Sequence, residues 1–113
     1  MQIKEIYNET VSLLGYNDLG ENLNNSDIFT KDFLICVSRV ITDLTDKEIT
    51  LKSLNQEIDI KKGMKSTISY GTAMWLSLIL GDGSRQNFFA ETYNRMRTKC
   101  KTTLINISDT LPQ

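Results

Sequence analysis

Apolar residues recur along this chain at helical spacing, with one short departure. Ile3, Tyr7, Val11 and Leu14 fall at steps of four, four and three. Ile6 and Leu13 widen that stripe, so residues 2–15 read as an amphipathic helix. Gly15 is its natural stop, because glycine enters the left-handed region at little cost. Residues 16–26 are rich in Asn, Asp and Gly and read as a polar loop, from which Leu19 and Leu23 fold back onto the core. Ser26 or Asp27 is placed to cap a second helix running to Leu44, with Phe33, Val37, Val40, Ile41 and Leu44 on its buried side.

The departure is residues 49–60. Ile49 and Leu51, then Glu57, Ile58, Asp59 and Ile60, alternate at period two. This predicts two short extended segments in a hairpin-like excursion. A third helix follows from 62–65 to Leu80, with Met64, Ile68, Thr72, Trp75 and Ile79 in register and Leu76 and Leu80 beside them. Gly71 inside it costs about 1 kcal/mol relative to alanine, which is the usual sign that another helix comes close. Gly81-Asp82-Gly83-Ser84 breaks the pattern, and a fourth helix runs from Ser84 to Thr102 through Phe88, Phe89, Tyr93, Met96 and Cys100. The remaining residues hold Leu104, Ile105 and Ile107 before Pro112 and read as an extended tail, adhesive but with little to bury against in an isolated monomer.

The fold expected is therefore mainly α, a small four-helix bundle-like domain with an extended or β-hairpin excursion between the second and third helices. Residues 1–102 form the helical domain and 103–113 the extended C-terminal tail. The core centres on Val37, Ile41, Ile68, Trp75, Leu76, Phe89 and Tyr93, so removing the Trp75 side chain is expected to cost about 3–5 kcal/mol.

Length and composition narrow the function. A chain of 113 residues holds one core. No apolar run reaches the roughly 20 residues that span a bilayer, and the first residues lack the apolar centre of a signal peptide. There is no histidine, which removes the commonest general base and metal ligand. Cys36 and Cys100 stand alone among apolar residues and read as reduced core thiols. Gly81-Asp82-Gly83-Ser84 lacks the lysine and the spacing of a phosphate loop and reads as a helix–helix turn. No catalytic residue, metal site or cofactor site is expected.

Net charge is −1, but it is lopsided. Residues 1–60 carry five bases against eleven acids, and residues 61–113 carry eight against three. A molecule with such a split can attract copies of itself head to tail. The bases Arg95, Arg97, Lys99 and Lys101 suit the negative end of a helix dipole and are candidates for a subunit interface together with Leu104, Ile105 and Ile107. Free nucleic-acid binding fits poorly with an isoelectric point near 5.4.

The run Ile68-Ser69-Tyr70-Gly71-Thr72-Ala73-Met74-Trp75-Leu76, then Gly81-Asp82, then Phe89-Ala90-Glu91-Thr92-Tyr93-Asn94 resembles the small helical head–tail connector (adaptor, or head-completion) proteins of tailed bacteriophages. Members of that family often carry a Tyr-Gly-x-Ala helix, a Gly-Asp break, and a last helix with an aromatic residue and a Tyr-Asn pair. The specific match spans residues 68–97, while the helical layout covers nearly the whole chain. The loop at 16–26 departs from the family pattern.

The resemblance implies a virion protein at the head–tail junction, present in the host cytoplasm during assembly. It implies a ring that docks beneath the portal protein, binds neighbouring copies sideways and later tail or stopper proteins, and lets packaged DNA pass without reading its sequence. The alternative is a small cytoplasmic regulator that binds one other protein as a monomer or dimer.

Overall fold

The computed structural model describes residues 1–15 and 28–110, without the side chains of Ile28, Lys62 and residues 102–110. The expected loop at 16–26, its Leu19 and Leu23, and the capping residues Ser26 and Asp27 lie outside the described residues. Four helices are present: α1 (Ile3–Leu14), α2 (Ile28–Thr45), α3 (Lys65–Ile79) and α4 (Gly83–Thr110). A 3-10 turn, Lys62–Met64, leads into α3. The protein is a mainly helical, bundle-like domain, and no strand forms among the described residues.

All three other helices pack on α3. Their crowding explains its composition. Thr67, Ser69, Gly71, Thr72, Ala73 and Ser77 are buried along it with Ile68 and Leu76, because three neighbours leave room for small side chains only. Thr72 and Ser69 return their hydroxyls to the carbonyls of Ile68 and Lys65, which satisfies them inside the helix. Large side chains are supplied by the neighbours: Ile3, Ile6, Tyr7 and Leu14 from α1, and Phe33, Val37, Val40 and Leu44 from α2. The Tyr7 and Phe33 rings meet edge to face at 4.9 Å.

Two features fix the orientation of the helices. The Arg85 guanidinium donates to the Leu14 carbonyl, joining the end of α1 to the start of α4. Gln2, just before α1, bridges to Glu57, in the segment that leads to the Lys62–Met64 turn and α3. The helices therefore run up, down, up and down. The Leu14 and Arg85 end is called upper here, and the Gln2 and Glu57 end lower.

Residues 49–60 form neither strands nor a hairpin; the segment is irregular, turns at Leu54–Asn55 and makes one isolated bridge, from Glu57 to Gln2. Their alternation reflects one-sided burial: Leu51, Leu54 and Ile58 enter the core while Glu57 and Asp59 stay outside. Their hydrogen-bond partner is the start of α1. The Ile3 and Lys4 amides, which a helix leaves without an internal acceptor, donate to the Gln56 and Leu54 carbonyls at 3.0 and 2.8 Å. Burial and capping together remove the need for a second strand.

The tail departs from expectation. Residues 103–110 continue α4 as helix instead of running extended. Between Gly83 and Pro112 the sequence holds no glycine or proline to stop the helix, and an N-terminally satisfied helix adds each further residue without a new nucleation cost. Residues 111–113 lie outside the description.

Trp75 also differs from its expected place. It is half-buried, at the edge of the α2–α3 contact, with the Arg39 guanidinium 5.5 Å from its ring centre. Phe88 is exposed. The rest of the expected core, Val37, Ile41, Ile68, Leu76, Phe89 and Tyr93, is buried.

Candidate interaction surfaces

The polar centre of the molecule joins α2 to α4. Asp43, near the lower end of α2, accepts from the Tyr93 hydroxyl at 2.7 Å and from Arg97 Nε and a terminal guanidinium nitrogen at 2.6 and 3.0 Å. This is the planar two-point pairing that guanidinium and carboxylate geometry favours. The Arg97 hydrogen bonds hold the Asp43 carboxyl below its ordinary range, against the opposing effect of its burial. Burial, and then the bond to Asp43, keep the Tyr93 hydroxyl protonated to well above its usual range. One turn further on, Lys101 stands 3.9 Å from Asp46. The close approach expected at Gly71 is what places Tyr93 there: a Cβ at Gly71 would lie 2.6 Å from the Tyr93 ring and 2.9 Å from Val40.

Beside this clamp, at the lower end, α3 and α4 diverge and leave a groove of about 530 Å³. Met64 and Thr67 line it from the start of α3, and Met96 and Cys100 from α4, with Lys61 and Lys99 at the rim. Cys100 is half-buried here, whereas Cys36 is fully inside, its thiol pushed up to about 11 by burial. Both cysteines are free thiols. Beyond Lys101, α4 runs on through nine more residues, roughly 14 Å at 1.5 Å per residue.

At the upper end the same helix pair presents the opposite relief. Leu78, Ile79 and Leu80 close α3 and are about half exposed, and Phe88, one turn into α4, is 58% exposed. The turn between them is built as the sequence indicates. Gly81 sits at φ 76°, and the Asp82 carboxylate accepts the Arg85 amide at 3.1 Å, capping α4. Of the five large hydrophobic side chains exposed among the described residues, four belong to this tip. They escaped the sequence reading because Ile79, Leu80 and Phe88 fall in register with the buried stripes.

The charge division also takes a spatial form. Each half of the sequence supplies one rising and one descending helix, so neither half forms one end of the molecule. Among the described residues the upper end carries four acids, Glu9, Asp32, Asp82 and Glu91, against three bases, Lys31, Arg39 and Arg85, and Asp82 is paired with Arg85 at 3.3 Å. Bases outnumber acids towards the lower end, around the groove.

The candidate interface residues therefore divide. Arg97 and Lys101 face acids within their own chain, Arg95 is exposed, and Lys99 stands at the groove rim. Leu104, Ile105 and Ile107 lie on the helical extension, and their side chains are outside the description. Among the described residues, no three His, Cys, Asp or Glu side chains come together as a metal site, and no helix is long and apolar enough to cross a membrane. No protein-family model, curated protein or solved structure matches this chain.

Proposed function

We propose that this chain is a structural adaptor subunit of a tailed-phage virion, which joins the portal to the tail as one member of a ring and carries out no chemistry. One observation supports the reading above the others. The residues that resemble the connector family form a single unit, the α3–α4 hairpin. Gly71 admits the Tyr93 ring, Tyr70 stacks edge-on to Phe89 at 6.0 Å, and Gly81-Asp82 makes the turn. A motif spread over 30 residues that meets in one contact is more specific than its separate letters. The half-exposed apolar tip and the groove give such a subunit two surfaces for neighbours. In this reading portal and tail or stopper proteins are the partners, and packaged DNA passes through the ring without sequence-specific contacts.

The test is electron microscopy of particles assembled with the chain and without it. The adaptor reading expects a ring of density beneath the portal that is lost on omission. Particles with a complete head–tail junction in the chain's absence overturn it. Reversing Arg95 and Lys99 to glutamate is expected to lower occupancy of that ring without unfolding the subunit, since neither substitution touches the Asp43 clamp.

A further inference from the structure

Three of the side chains that line the lower groove carry sulfur: Met64, Met96 and Cys100. Met96 and Cys100 stand four residues apart on α4, and Met64 comes from the turn that leads into α3, across the groove. Residues four apart on a helix share a face with their Cβ atoms about 5–6 Å apart, and the three rotatable bonds of methionine let its thioether adapt to a gap of that size. Met64 is buried, whereas Met96 and Cys100 are partly exposed, so the cluster has a floor inside the protein and a mouth towards water. The Cys100 thiol is free, and Cys36 is not among the groove's lining residues.

The rest of the lining decides what such a cluster can hold. It offers the Thr67 hydroxyl and, at the rim, Lys61 and Lys99, but no carboxylate and no imidazole. Calcium and magnesium take oxygen ligands, chiefly carboxylates, and a zinc site draws on several thiolates, imidazoles or carboxylates. The groove supplies neither set. Thioether and thiolate sulfur are the soft ligands that select copper(I). Methionine alone would make an ordinary apolar wall; a free thiol on the same wall adds the anionic ligand that two thioethers lack.

We propose that Met64, Met96 and Cys100 bind one copper(I) ion through two thioethers and a thiolate. Binding exchanges a proton for the metal: the S–H bond of Cys100 breaks, an S–Cu bond forms, and the proton leaves to water. The ion enters as copper(I), so no electron is transferred. The bound ion would tie α4 to the entrance of α3 where the two helices diverge, and an ion held only by the folded chain raises its stability. The proposal stands apart from the adaptor reading, since it concerns the purified chain by itself.

The experiment is an anaerobic titration of the full chain with copper(I) presented by the chromogenic chelator bicinchoninate. The parent is expected to withdraw one equivalent and to melt at a higher temperature once loaded. Cys100→Ser is expected to abolish both effects. Met96→Leu and Met64→Leu keep the thiol and nearly conserve volume, and each is expected to weaken binding by about tenfold or more. X-ray absorption at the copper edge is expected to fit three sulfur neighbours. Zinc at the same concentration is expected to leave the melting temperature unchanged.

A parent that leaves the copper with the chelator overturns the proposal. Leucine variants that bind like the parent overturn it too, because the thiol alone then accounts for capture. Met96 is partly exposed, so Met96→Leu decides this point without disturbing the core. A copper centre with fewer than three sulfur neighbours refutes the three-ligand site, and zinc that stabilises the chain as copper(I) does refutes its selectivity.

Discussion

The two flanks of α3 are held by different physics. On the α1 and α2 side, large apolar side chains do the work. Ile3, Ile6, Tyr7, Phe33 and Val37 are essentially closed to solvent, and their contribution scales with the area removed from water. On the α4 side the helix axes are drawn together at a glycine, and a tyrosine laid across that glycine is tied by its hydroxyl to Asp43. Area burial is tolerant of which apolar residue supplies it. The glycine contact is not, since a single methyl group has nowhere to go. The first flank makes the domain stable; the second sets where α4 lies, and so shapes the groove.

Substitutions separate these two mechanisms. Phe33→Ala is expected to cost most, about 3–5 kcal/mol in chemical denaturation, because it empties a fully buried ring site beside Tyr7. Little loss would mean that the apolar flank is not the main source of stability. Gly71→Ala comes next, with a net loss of about 1–3 kcal/mol from forced repacking despite alanine's better helix propensity. The Tyr93 ring cannot simply swing away, because its hydroxyl is bound to Asp43. A Gly71→Ala protein as stable as the parent would show that α4 can shift freely and that the close approach fixes nothing.

The carboxylate clamp is smaller and depends on pH. Asp43 is depressed in the folded protein, so its contribution is present above the ordinary carboxylate range and is lost as pH falls through its folded value. Asp43→Asn is therefore expected to flatten the acid limb of the stability–pH curve. Its loss at neutral pH should be modest, because the pair is partly open to solvent. An unchanged acid limb would remove Asp43 from the account. Trp75→Ala should cost less than the 3–5 kcal/mol that its sequence position suggests, roughly 2 kcal/mol, since the ring is only partly buried against the core. Thermal melting that places it level with Phe33→Ala would return Trp75 to the interior.

The groove was less legible than the core. Met96 and Cys100 were visible as members of a helical stripe, but the stripe does not say where its partner helix stops. Here α3 begins at Lys65 after a short turn, while α4 continues past it, and the difference leaves Met96 and Cys100 partly exposed. Arg97 shows the complementary effect. It looked like one of four equivalent surface bases, yet the descent of α2 brings Asp43 to it and pairs it within its own chain.

The sequence by itself determined the helices, their stops at Gly15 and Gly81, and the meaning of Gly71, because these follow from local backbone preference and spacing along one chain. Only the tertiary structure decided which apolar residues remain outside and that residues 49–60 cap α1 instead of pairing with themselves. Periodicity is a property of one helix; exposure depends on how far its neighbours reach, and nothing local records that.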